Sequence, residues 1–186
     1  MSDAAHKMTF EEFMKLPEED TRYELIDGRR VTLVPPYMPH SHAQTTLVTK
    51  IGVYLGENFA GFFGVELDFP TLPFHGRRPD AIYFAPDRVT EADWQRGYPL
   101  HAPDLVIEIV SPDDPKRDYV VKRAEYARVG IPNYWIVDPA AQRVEVLTLG
   151  ANGEYLVERE LGPDDVLTSS LFPGLEIPLA QVLRNR

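Results

Sequence analysis

PDLVIEIVSP, residues 103–112, places five apolar residues (Leu105, Val106, Ile107, Ile109 and Val110) around a single carboxylate, Glu108. A short run bounded by proline at both ends and rich in β-branched residues reads as a strand buried on both faces. A lone carboxylate in such a strand costs several kcal/mol to desolvate unless a partner pairs with it or an ion coordinates it. The rest of the chain is therefore searched for partners of Glu108.

The 186 residues, 44% hydrophobic and 11% aromatic, suit one domain spanning 1–186, with its core at about 20–149. No apolar stretch approaches the ~20 residues of a membrane span. The start, MSDAAHKMTF, lacks the apolar segment of a secretory signal, and the chain has no cysteine; both suit a cytoplasmic location. The net charge of −10 argues against a protein that coats DNA, but not against an enzyme that touches nucleic acid locally. Acids dominate residues 11–27 and 145–165, whereas residues 116–128 (KRDYVVKRAEYAR) hold five bases and two acids. That island is either a binding patch or a solvated helix face.

Thr9 and Glu12 form a capping box, so a short helix is expected over about 10–16. RYELIDGRRVTLV reads as a hairpin turning at Asp27–Gly28, and PPYMPH as a proline-stiffened loop. Ser41 and Gln44 read as a second cap, opening a helix that ends before Gly61. FFGVELDF is expected as a strand, PTLPFHGRR as a loop and PDAIYF as a strand. Residues 85–102 form an excursion with one helical turn near Glu91–Gln95. An amphipathic helix over Lys116–Val129, stopped by Gly130 and Pro132, leads to a strand at NYWIVD. RVEVLTL and EYLVERE form a meander, and LFPGLEIPLAQVL ends the chain as a loop and a short helix.

Asp80 begins the PDAIYF strand, 28 residues before Glu108. If the two strands pair, their carboxylates approach each other and require a proton or a divalent cation between them. Oxygen ligands select hard ions, so Mg²⁺ or Mn²⁺ is the expected cofactor. Lys122 lies in the helix that follows, within reach of both acids, and could orient a metal-bound water or stabilise charge on a phosphate. Tyr119, Lys122 and Tyr126 share one helix face. Glu24, in the first hairpin strand, is a candidate fourth member that could hold a second ion or a metal-bound water. Taken singly, Asp80 also reads as a turn former, and Lys122 as a solvated helix lysine. Their combination with Glu108 carries the functional reading.

The order Glu, Pro–Asp, Glu–x–Val, helical Lys resembles the PD-(D/E)XK nuclease superfamily, with its restriction-endonuclease-like fold. More narrowly, YELIDGRRV (23–31), SHAQ (41–44), RPDAIYF (78–84), PDLVIEIVSP (103–112) and KRAEYARVGIPNYWIVDP (122–139) resemble its "putative restriction endonuclease" branch. The resemblance implies that Asp80, Glu108 and the Ile109 backbone carbonyl ligate the ion, and that Glu24 fills an early acidic position. It departs from the superfamily at Val110, where a lysine is usual; Lys122 matches the place to which this branch moves it. A histidine opens the second helix in these relatives, so His42 could approach a phosphate, though packing is its commoner role.

The expected fold is thus α/β, an α-β-β-β-α-β core with a central mixed sheet, extended by an N-terminal helix and hairpin and a C-terminal β segment. The expected activity is Mg²⁺-dependent cleavage of nucleic acid, DNA foremost. Arg77, Arg78, Lys116, Arg117 and Arg123 are candidate phosphate contacts. A homodimer is expected by likeness to relatives of this fold. A catalytically silent interaction domain and a phosphohydrolase acting on a small phosphate ester are the competing readings.

Overall fold

The computed structural model describes residues 6–17, 19–58 and 61–184; the ends of the expected 1–186 domain lie outside them. Its centre is a mixed sheet of six strands in the order β10-β9-β8-β7-β6-β3. These are β3 (Phe62–Gly64), β6 (Ala81–Phe84), β7 (Leu105–Ile109), β8 (Asn133–Asp138), β9 (Arg143–Leu149) and β10 (Tyr155–Leu161). β6 runs antiparallel to β7, whereas β7 and β8 are parallel. That parallel pair needs a crossover, which the helix of residues 117–129 supplies. All five residues of β7 are buried, as its unbroken apolar run implies.

The two faces of this sheet bury different cores. Leu105, Ile107 and Ile109 point to one face, covered by α2 (Met38–Asn58) through Ala43, Leu47, Ile51 and Leu55. Val106 and Val110 point to the other, where Tyr126, Tyr134 and Ile136 pack. Strand alternation puts Glu108 on this second face. Val110 thus has a packing role: it is 1% exposed among apolar neighbours, a place where an ammonium would be stranded.

A second sheet, β2-β1-β5-β4, is built from the hairpin β1 (Tyr23–Ile26) and β2 (Arg29–Thr32) with β4 (Phe69–Pro70) and β5 (Gly76–Arg77). Asp27 and Gly28 turn the hairpin with φ of 49° and 74°, the positive pair that a tight two-residue turn requires. α1 (Phe10–Met14) caps as expected and lies against β5, where a Cβ at Gly76 would sit 2.4 Å from the Phe10 ring. β11 (Val166–Ser169) and β12 (Phe172–Pro178) close the chain as a hairpin.

Five local expectations are corrected, the first being the PTLPFHGRR loop, which contains strand β5. α2 begins at Met38, not after the PPYMPH loop, because Pro39 sits in its first turn, where a missing N–H costs nothing. FFGVELDF is not one strand; it divides into β3 and β4, which belong to different sheets. The 116–129 helix is not α-helical throughout: a π-helical stretch, Arg117–Lys122, precedes Arg123–Val129 (α4). The segment read as a terminal loop is strand β12, followed by a short 3₁₀ turn at Leu179–Gln181. α3 (Glu91–Arg96) stands where the helical turn was expected. Among the described residues, no helix is long and apolar enough to cross a membrane.

Candidate active site

β6 and β7 pair with Ala81 opposite Ile107, so one further step of that register sets Asp80 opposite Glu108. Both side chains point to the face covered by the 117–129 helix. The Ile109 N–H donates to Asp80 Oδ2 at 2.6 Å, and His40 Nε2 lies 3.1 Å from Asp80 Oδ1. Glu108 is only 2% exposed. Its Oε2 lies 2.8 Å from the Lys122 ammonium, and its Oε1 accepts from the Tyr126 hydroxyl at 2.5 Å.

The π-helical stretch and α4 each supply a side chain that meets Glu108, Lys122 from the first and Tyr126 from the second. Asp118 and Lys122, one helical step apart, both turn inward, with Lys122 Nζ 3.0 Å from Asp118 Oδ1. That contact is close in distance but lacks hydrogen-bond alignment. One ammonium is thus shared between two buried carboxylates. Burial pushes the Glu108 carboxyl up to about 8, against the pull of Lys122 and with the repulsion of Asp118, Asp80 and Glu24 adding to it. Burial also works against the charge of Lys122, but Glu108, Asp118 and Glu24 outweigh it and hold its pKa above that of ordinary lysine. Lys122 therefore remains an ammonium at neutral pH. The Tyr126 hydroxyl is held well above its usual pKa by burial and Glu108, so it remains a neutral donor.

Glu24 lies in the same cleft, fully buried, among different neighbours. Its Oε2 accepts from Arg77 at 2.8 Å and from Arg117, and its Oε1 accepts weakly from the Arg78 N–H at 3.4 Å. Arg77 grips Glu125 with its other two donors, at 3.1 and 2.5 Å. Burial raises Glu24, but Lys122, Arg77 and Arg117 outweigh it and bring the carboxyl down to about 2. Glu24 therefore anchors an arginine layer beside the Asp80–Glu108 pair, with Oε2 held by two guanidinium groups and Oε1 by a main-chain N–H.

The cleft has a volume of about 790 Å³, and eight carboxylates line it against four basic side chains. Each of those four is already paired: Arg22 with Glu66, Arg78 with Asp68, Arg117 with Glu24, and Lys122 with Glu108 and Asp118. Of the five candidate phosphate contacts, Arg78 and Arg117 line the cleft, whereas Arg77, Lys116 and Arg123 do not. Arg77 is enclosed at 3% exposure. Arg123 reaches the other way and donates to the Tyr155 carbonyl. Lys116 is exposed. His42 lies beyond the helix start, with its Nε2 2.8 Å from the Gln181 carbonyl.

His40, Asp118 and Tyr126 complete the surroundings of the pair, and none of the three is singled out as a site residue by the sequence. Asp118 stands four residues before Lys122, and Tyr126 four after it, a spacing that marks one helix face. His40 becomes visible only once the helix is known to start at Met38.

The donors suit a hard divalent ion: two carboxylates side by side on neighbouring strands, with the Ile109 main chain next to them. Among the described residues, no group of three or more His, Asp or Glu side chains converges as a metal cage. An ion such as Mg²⁺, which is held by one or two carboxylates and keeps several waters, needs no such cage.

Residues 10–180 match the model of the Uma2 family, described as "Putative restriction endonuclease". Among solved structures, the chain is similar to "a putative nuclease belonging to DUF820" from Anabaena variabilis ATCC 29413. The two are 26% identical with a TM-score of 0.75, over 95% of this chain and 97% of that one. No curated protein matches the chain.

Proposed function

Since the chain belongs to the Uma2 family of restriction-endonuclease-like proteins, we propose that the Asp80–Glu108 cleft hydrolyses nucleic-acid phosphodiester bonds with the help of Mg²⁺ or Mn²⁺. The observation that carries this reading is the placement of Asp80 and Glu108 on paired strands, facing one way, with the Lys122 ammonium 2.8 Å from Glu108. Asp80, Glu108 and the Ile109 carbonyl are the groups that would hold the ion. Bound there, it supplies Lewis-acid polarisation of the phosphate and a bound water of lowered pKa.

The protein's own groups do the rest. Lys122 stays protonated, so it serves as a fixed positive charge toward the phosphoryl oxygens and not as a base. Tyr126 and Lys122 hold the two Glu108 oxygens in place. Arg117 at the cleft wall is poised to exchange part of its contact with Glu24 for a substrate phosphate. Water attacks phosphorus, the bond to the leaving oxygen breaks, and that oxygen takes up a proton.

The experiment is cleavage of plasmid, single-stranded DNA and RNA with each ion, comparing wild type with Asp80→Asn and Glu108→Gln. Cleavage lost in both variants supports the reading; a wild type that cuts none of the three with either ion overturns it. One observation favours a small phosphate ester as the alternative substrate: every basic side chain lining the cleft is already paired with a carboxylate. Turnover of such an ester that is indifferent to salt separates the two.

A further inference from the structure

We infer that His40 is the positioning residue for Asp80: its imidazole fixes the aspartate oxygens in the orientation from which they hold a divalent ion. The inference rests on the reading of Asp80 as a metal ligand and adds a residue that neither the family match nor the motifs assign.

α2 grips Asp80 twice. His40, in its first turn, sets Nε2 3.1 Å from Oδ1, and Gln44, one turn on, donates from its side-chain amide to the Asp80 carbonyl at 3.2 Å. The Ile109 N–H donates to Oδ2 at 2.6 Å. Asp80 thus has a hydrogen bond on Oδ2, a second on its own carbonyl and the His40 ring nitrogen beside Oδ1, from a strand on one side and a helix on the other. Each oxygen keeps a lone pair beyond these contacts.

The chemistry of the imidazole sets its role. Nε2 lies 3.1 Å from Asp80 Oδ1, so a hydrogen on that nitrogen is the one a carboxylate there would accept. A ring nitrogen that carries hydrogen does not ligate a metal, and among the described residues His40 joins no group of three possible ligands. His40 therefore acts through Asp80. The side chain is only 9% exposed, and Nδ1 makes no hydrogen bond to the described residues. The neighbouring Tyr37 hydroxyl, on a ring 6.4 Å away, makes none either. A histidine kept for packing gains nothing from an unpartnered buried nitrogen that leucine or methionine would lack. The Asp80 contact supplies the reason for an imidazole here. Partners of this kind, which orient a ligating group, typically change metal affinity 10–100-fold when removed.

The test is Mn²⁺ binding to the full chain, followed by calorimetric titration, with thermal melts of the metal-free protein alongside. His40→Ala is expected to weaken Mn²⁺ binding by roughly 10–100-fold. His40→Gln, whose amide N–H reaches the position of Nε2, is expected to recover most of that loss. His40→Asn, which reaches only as far as Nδ1, is expected to stay weak. A merely structural histidine would lower the melting temperature and leave Mn²⁺ affinity alone. His40→Ala within twofold of wild type overturns the inference while the metal site stands. If His40→Ala fails to fold, equal affinities in the Gln and Asn variants overturn it. A wild type that binds no Mn²⁺ overturns the metal reading itself.

Discussion

Glu24 and Glu108 are buried glutamates in one cleft, and their environments drive them in opposite directions. Glu24 meets two guanidinium groups and falls to about 2; Glu108 shares one ammonium with Asp118, faces Asp80 and rises to about 8. Burial raises both, so the difference lies in the counter-charge. The Glu24–Arg77–Glu125–Arg117 network sets two guanidinium groups against two carboxylates and is electrically closed, as a structural element should be. The Asp80–Glu108–Asp118 group is left short of positive charge, the condition that a divalent cation relieves. One half of the cleft is a brace and the other the proposed site.

Substitutions should break this contrast unequally. Glu108→Gln, close in shape but unable to carry the charge, is expected to remove metal-stimulated cleavage by at least about a thousandfold with the fold retained. Single-turnover assays and circular dichroism check it. On the brace side, Arg77→Met leaves Glu24 and Glu125 buried without their guanidinium. It should cost about 3–5 kcal/mol in urea unfolding, the usual penalty for removing one partner of a buried pair.

The two glutamates also predict opposite limbs of stability against pH in chelator-treated protein. Glu24 is lowered from 4.5 to about 2, so its contribution is complete above 4.5 and is lost as pH falls toward 2, about 3 kcal/mol in all. Glu108 is raised from 4.5 to about 8, so its contribution is complete below 4.5 and is lost as pH rises to 8. Urea melts from pH 3 to 9 should show both limbs, and Glu108→Gln should flatten the second alone. The smallest effect concerns salt. With the cleft's basic side chains already paired, log affinity for an oligonucleotide held in Ca²⁺ should fall against log salt with a slope of about 2 or less, as for a few phosphates. A slope of about 6 would show that the pairs open to admit a longer strand.

The sequence carried the frame of the site because its signals are local. Glu108 among apolar residues, Asp80 at a strand start and Lys122 on an amphipathic helix each follow from spacing, and the paired strands put the two acids side by side. The partners that complete the site were hidden by non-local geometry. Arg77 reads as a loop arginine until β5 pairs with β1 and carries it to Glu24. Glu125 looks like a helix-face acid until the fold sets it 2.5 Å from Arg77. His40 was obscured by a helix expected to open at His42 and found to open at Met38, although Pro39 was the available signal. The π-helical entry at Arg117–Lys122 has no mark in composition.

The most direct test is a crystal of the protein soaked in Mn²⁺, examined at the manganese absorption edge. An anomalous peak with oxygens of Asp80, Glu108 and the Ile109 carbonyl at about 2.0–2.2 Å, and Lys122 within one water's reach, is the result expected. No peak between Asp80 and Glu108 at saturating Mn²⁺, with Lys122 still bridging Glu108 and Asp118, would contradict a metal-dependent nuclease.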